Sequence, residues 1–315
     1  MNILVLNNQE VQQVLKIDEL IDVLEEGFRE LSDGKVIAPI RTELVVPNSG
    51  YLLTMPAWTP GHNLTVKLIT VFHGNLHYGL PGHQALMCAF DPETGTPVAI
   101  MDGAYITAMR TAGASALSAK ILARQNAKVL CIIGAGAQGR SHLNVVATVR
   151  SFEEIRITSD PIADAYTLAS EHRNVRVFES CEDAVRGADV VCCCTSSKTP
   201  VIEFDWLSLG THVTSVGFSP PGSELPQELV KRGKLYVETR LAFEPPPTGC
   251  AELNGLDPKA AGELGEVLSG KFPGRLTEDE ITVYKSMGHA MEDMVVMDHV
   301  FQRARQQKKG TEITF

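Results

Sequence analysis

Apolar and polar positions fall into two textures along the chain. Ile17, Leu20, Ile21, Leu24, Phe28 and Leu31 recur at helical spacing and line one face of a helix that Gly34 ends. Residues 40–100 then read as strands: RTELVV, YLLTMPAW, LTVKLITVF and QALMCAFD, separated by Pro and Gly turns. ALMCAFDPETGTPVAIMD predicts a hairpin turning at Asp91–Gly95, and the Ala- and Leu-rich stretch 107–124 predicts a helix.

The pattern changes at about Asn126. Short apolar runs now alternate with helical segments: KVLCII (128–133), a helix from Gln138, EIRIT (154–158), a helix from Pro161, VRVF (175–178), DVVCCCT (189–195), THVTSV (211–216) and KLYVE (234–238). Strands that are apolar throughout are buried on both faces, which predicts an α/β fold with a doubly wound parallel sheet. Ser180 with Asp183, and Thr277 with Glu280, have capping-box spacing, the second pair ahead of the last helix. That helix carries Ala290, Met294, Met297 and Phe301 on one side. Its basic end, Arg303 to Lys309, complements the helix dipole. The boundaries so drawn are an α+β domain over 1–122, a Rossmann domain over 123–288, and a C-terminal helix, 289–315, returning to the first domain.

A chain of 315 residues is long enough for two domains. Its 28 basic against 38 acidic residues give a net charge of −10, which disfavours nucleic acid as a partner. No apolar run is long enough to span a membrane, and MNILVLNNQEVQQ lacks the pattern of a signal peptide. The seven cysteines include no CxxC pair. Cys192, Cys193 and Cys194 alternate faces on a strand and cannot converge on a metal, so a cytoplasmic protein with reduced thiols is expected. His73, His77 and His83 have no acid or cysteine between them, and no metal is expected there. Neither a GxSxG elbow nor a Walker-type lysine is present.

Gly134-Ala135-Gly136-Ala137-Gln138-Gly139 is a G-x-G-x-x-G placed directly after a strand and opening a helix, the context that makes it a dinucleotide signature. Gly134 permits the tight turn, Gly136 lets the pyrophosphate approach the backbone, and Gly139 lets helix and strand pack closely. Asp160 lies 21 residues beyond Gly139, where an acid binds the ribose diol, with Ser159 beside it and no Arg following. Asp160 is equally a good N-cap ahead of Pro161. NAD(H) or NADP(H) is expected, leaning to NAD(H).

PIRTELVVP (39–47), LLTMPAW (52–58), LTVKLITVF (64–72), residues 82–120 with MDG…ITAMRTA, the glycine loop, GELGEVL (262–268) and ITVYKSMGHAMEDM (281–294) together resemble the ornithine cyclodeaminase/mu-crystallin family over nearly the whole length. That family includes alanine dehydrogenases and ketimine reductases. The resemblance implies a substrate-binding and dimerisation domain beside the Rossmann domain, hence a homodimer. It also implies carboxylate binding by Arg41, Lys67 and Arg110, which suits an Arg fork. Met55, Phe218 and Glu263 match positions near the substrate. Thr111, Thr195, Ser196, Gly217, Ser286 and Gly288 match positions near the cofactor.

Phe218 aligns with the Asp that serves the cyclodeaminases as acid/base, and Phe cannot move a proton. The resemblance therefore favours an NAD(P)H-dependent reductase of small anionic cyclic α-imino acids, with catalysis by Lys67, Arg110 and Arg41. Cyclodeamination, an alanine dehydrogenase-like reaction, and non-catalytic NAD(P)-linked binding are the alternatives. Three buried cations without ligands would be costly, which speaks against the last.

Overall fold

The computed structural model describes residues 2–314. The chain opens with a strand the hydrophobic pattern did not single out, β1 (Asn2–Leu6), followed by α1 (Asn8–Val14) and the amphipathic α2 (Ile17–Ser32), which buries Leu20, Ile21, Leu24 and Phe28. Then come β2 (Thr42–Val46), β3 (Gly50–Ala57), β4 (Leu64–Val71), β5 (His83–Phe90) and β6 (Pro97–Asp102), the strands expected from the sequence. The β5–β6 hairpin closes on Asp91, whose carboxylate accepts from Glu93 N and Thr94 N. The long α3 (Ala104–Leu122) follows.

Next come β7 (Val129–Ile133), α4 (Ala137–Val146), β8 (Glu154–Thr158), α5 (Ile162–Ser170), β9 (Val175–Val177), α6 (Cys181–Val185), β10 (Val190–Cys193), β11 (His212–Ser215), α7 (Gln227–Arg232), β12 (Lys234–Val237), β13 (Gly262–Glu263), α8 (Leu264–Leu268) and β14 (Thr282–Lys285). These strands pair parallel throughout, in the order β13-β12-β14-β11-β10-β7-β8-β9. β7 is flanked by β8 on one side and β10 on the other. The strand order therefore reverses at the carboxyl end of β7, the crevice where doubly wound sheets bind ligands.

The chain ends with α9 (Ala290–Gln307) and β15 (Thr311–Thr314). β15 and β1 join the first set of strands in a seven-stranded sheet ordered β15-β1-β6-β5-β4-β3-β2, and α9 packs on α2 and on β3, β4 and β5. Two compact units result: Met1–Arg110 with His289–Phe315, and Thr111–Gly288. The first break lies inside α3, where the sequence reading drew it at the end of that helix. No helix among the described residues is long and apolar enough to cross a membrane.

Two local expectations need correction. Thr277 and Glu280 do not start the last helix: Glu280 accepts from Leu276 N and Thr277 N in a loop, and β14 follows. The strand was overlooked because Thr282–Lys285 reads as a polar-flanked apolar run ahead of a helix, yet all four residues are buried between β11 and β12. α9 starts instead at a capping box formed by His289 and Glu292. Asp160 is likewise not an N-cap, since that position in α5 belongs to Pro161. At α6, Ser180 does cap, accepting from Asp183 N.

Candidate active site

The first unit holds a buried ionic cluster. Lys67 lies on the inward face of β4 with Thr65, Ile69 and Val71, and its cross-strand neighbours are Met55 on β3 and Met87 on β5. Only 2% of Lys67 is exposed. Its ammonium meets Asp293 of α9, Nζ to Oδ2 being 2.5 Å. Arg110, on α3, reaches the same carboxylate from the other side, with Nε donating to Oδ1 at 3.0 Å, while its Nη1 donates to Glu292 Oε2 at 3.3 Å. Glu292 Oε1 accepts from His289 N at 2.7 Å, so the capping box that starts α9 also aims a carboxylate at Arg110.

Burial lowers Lys67 from the usual ammonium range to about 8. Asp293 opposes that shift and the Arg110 charge adds to it. His289 is pushed by burial to about 4, with Asp293 again opposing and the charges of Arg41 and Arg110 adding. Its Nδ1 accepts from Met291 N, which leaves the ring proton of the neutral form on Nε2. Arg41, half-buried, is thus within electrostatic reach of this corner.

Two buried cations, Lys67 and Arg110, therefore meet two carboxylates, Asp293 and Glu292. This corrects the sequence argument from uncompensated cations, because α9 supplies two counter-ions. Met55, 5% exposed, lines the apolar surround of Lys67.

The second unit holds the glycine loop. Gly134 has φ +103°, and a Cβ there would lie 2.6 Å from Cys194 O; a Cβ on Gly139 would lie 1.9 Å from Gly134 O. Both positions exclude a side chain by close backbone packing. A Cβ on Gly136, the N-cap of α4, meets nothing within 4 Å. The start of α4, with Ala137 and Gln138 in its first turn, thus opens onto free space suited to a phosphate, and the buried Gln138 Oε1 is an acceptor with no partner. Among the described residues a groove of about 610 Å³ runs from Gly134 and Gly136, past Thr195 and Ser196, to Ser159 and Asp160. Two further acids, Asp164 and Glu179, line it with Asp160, and no Lys, Arg or His does. These residues fit a dinucleotide.

Other candidate residues act on the loops around the groove. Glu224, 2% exposed, accepts from Thr195 N and Oγ1, Ser215 Oγ and Gly217 N, tying the ends of β10 and β11 together. Buried Lys285 donates to Gly217 O at 2.6 Å and pairs with Glu252 at 2.9 Å. Glu238 gathers Ser286 Oγ, Met287 N and Gly288 N. Glu263 accepts from Arg240 N and caps α8, Thr111 is buried on α3, and Phe218 is half-buried in the loop after β11. The side chain of His73 lies outside the described residues, and among those described no three His, Cys, Asp or Glu gather to hold a metal. Sequence reasoning missed Glu292, Asp293, Glu224 and Lys285. The signal for the first two was an adjacent acid pair in the otherwise apolar run of α9.

A sequence profile of the ornithine cyclodeaminase/mu-crystallin family matches residues 1–308. Ketimine reductase mu-crystallin of Mus musculus is 39% identical over 304 residues, covering 94% of this chain and 96% of the relative. The Δ1-pyrroline-2-carboxylate reductase of Thermococcus litoralis, solved with NADH and L-proline, superposes with TM-score 0.93 at 32% identity, covering 99% of this chain and 100% of that one. An archaeal alanine dehydrogenase dimer with bound NAD superposes with TM-score 0.89 at 32% identity over the full length of both.

Proposed function

Because the chain belongs to the ornithine cyclodeaminase/mu-crystallin family, we propose that it is an NAD(P)H-dependent oxidoreductase reducing the C=N bond of cyclic α-imino acids, of the Δ1-pyrroline-2-carboxylate or Δ1-piperideine-2-carboxylate type, to cyclic amino acids such as L-proline. The observation that carries this reading is the buried pairing of a lysine with an Arg fork, Lys67 and Arg110 meeting on Asp293, which suits a substrate that brings a carboxylate beside an imine nitrogen. Arg41 and Arg110 hold that carboxylate, and the Lys67 ammonium gives its proton to the imine nitrogen. A dihydronicotinamide held in the groove of Gly134, Gly136 and Asp160 would supply the hydride for the imine carbon. The backbone N–H groups at the start of α4 receive the pyrophosphate, and Asp160 receives a ribose hydroxyl.

Cyclodeamination and oxidative deamination by an acid at position 218 are disfavoured, because Phe218 has no proton to exchange. The test follows NADH and NADPH absorbance separately with Δ1-pyrroline-2-carboxylate, beside ammonia release from ornithine plus NAD. Cofactor oxidation by the imine with no ammonia is expected. Ammonia release would overturn the reading in favour of cyclodeamination, and binding of cofactor with no turnover of any imino acid in favour of a binding protein.

A homodimer belongs to the same proposal. The face of the seven-stranded sheet turned away from α9 carries Leu44, Leu52, Leu64, Val66, Leu68 and Leu86, of which Leu44 is 60% exposed. A surface so apolar suits a second copy of the chain, and the archaeal alanine dehydrogenase is a dimer. A cytoplasmic location is inferred from seven cysteines, all free thiols, five of them buried.

A further inference from the structure

Lys67 and Arg110 stand on different elements, β4 and α3, and no backbone bond holds one against the other. The group common to both is Asp293. Its two oxygens divide between them, Oδ2 to Lys67 Nζ at 2.5 Å and Oδ1 to Arg110 Nε at 3.0 Å, and the side chain is 3% exposed. A carboxylate so placed does two things at once. It fixes the distance between the proton donor and the carboxylate-binding fork, and it favours the charged form of a lysine that burial would otherwise discharge.

We propose that Asp293 is the positioning residue of this site, a single carboxylate that keeps the Lys67 ammonium charged and holds Arg110 in register with it. The proposal rests on the reductase reading for what the two cations do, but not for the coupling itself. The groups facing Lys67 are few. α9 contributes Asp293 and Glu292, and α3 contributes Arg110. β3 and β5 contribute the uncharged Met55 and Met87. His289, at about 4, is neutral across the working range, and Arg41 acts on that His.

The sign is fixed by these neighbours. Reduction needs Lys67 protonated, so in the wild type its rate falls as pH rises through about 8. Asp293→Asn keeps the shape and removes the contact attraction, leaving burial and Arg110 opposed only by the weaker pull of Glu292, so the fall moves to lower pH. An opposite charge in contact is worth about one to three pH units, and a shift of at least one is expected. Asp293→Glu retains the charge and should hold the fall near 8 while kcat drops.

The experiment titrates the Lys67 Nζ resonance by NMR, assigned with Lys67→Met, in the wild type and both variants, alongside the pH profile of imine reduction. An acid-ward shift in Asp293→Asn with NADH binding retained supports the proposal, whereas an unmoved or alkaline-shifted titration overturns it. If Asp293→Asn does not fold, Asp293→Glu decides: a titration held near 8 with reduced kcat supports the coupling, and a displaced one refutes it. A wild type that titrates as described yet reduces no imino acid sinks the reductase reading and leaves the coupling intact.

Discussion

The ribose end of the dinucleotide groove makes a quantitative demand on the cofactor. Asp160, Asp164 and Glu179 line that end and no cation does. A 2′-phosphate brings a charge of about −1.5 to −2 at neutral pH. At about one Debye length, ~8 Å, a pair of unit charges in water interacts by about 0.5 kcal/mol, reduced by screening to about 0.2. Three acids against nearly two charges then cost about 1 kcal/mol. NADPH also forfeits the hydrogen bond from its ribose 2′-hydroxyl to Asp160, a charge-assisted bond worth about 1.5–3 kcal/mol. The two effects together come to about 3 kcal/mol. At 1.4 kcal/mol per decade, the expected preference in kcat/KM for NADH over NADPH is about a hundredfold.

The assay is steady-state oxidation of each cofactor with a saturating cyclic imino acid at two ionic strengths. Asp160→Ala should lower kcat/KM for NADH about tenfold or more and leave NADPH little changed, because it removes the hydrogen bond and one repulsive charge. Raising salt from 0.05 to 0.5 M should narrow the wild-type preference by the screened part only, a few-fold. Equal or greater efficiency with NADPH would refute the reasoning, as would a preference that Asp160→Ala does not touch.

The glycine loop separates folding from binding. Gly136→Val projects into open space and should leave the apo melting temperature within a degree or two while raising the Kd for NADH at least a hundredfold, read by calorimetry and tryptophan quenching. Gly139→Ala meets a carbonyl oxygen and should lower the melting temperature itself. On the outer face of the seven-stranded sheet, Leu44→Lys should convert a dimer to a monomer in light scattering; an unchanged mass would place the interface elsewhere.

Much of the architecture was legible because periodicity reports burial. The β8 run EIRIT and the glycine loop that follows β7 were recognisable from type and context alone. What local pattern leaves out has physical causes. In β4 the alternate set Leu64, Val66 and Leu68 is the more apolar, so hydrophobicity alone turns that row inward and Lys67 out. The structure does the reverse, because Asp293 lies opposite Lys67 and the apolar row faces away from α9. Such a choice depends on a residue 226 positions distant in the chain, which no local pattern encodes. β1 was passed over for a similar reason, since its pairing partners β6 and β15 are far away in sequence. Arg110 was identified through family resemblance, whereas its counter-ions on α9 needed coordinates.

The cluster also narrows who can supply the proton once Phe218 stands in place of an acid. The guanidinium groups of Arg41 and Arg110 do not release theirs in the range proteins survive. His289, at about 4, has already lost its second proton at neutral pH, and its Nδ1 is occupied by Met291 N. Asp293 and Glu292 are engaged as acceptors by Lys67, Arg110 and the backbone of His289. Lys67 alone among these groups is both charged at neutral pH and poised to release a proton near it, because burial and Arg110 lower it while Asp293 keeps it from falling further. The same setting bears on the reverse reaction: with Lys67 in its proposed role, oxidation of a cyclic amino acid would need the lysine uncharged to accept the proton, so it should gain rate through about pH 8 where reduction loses it.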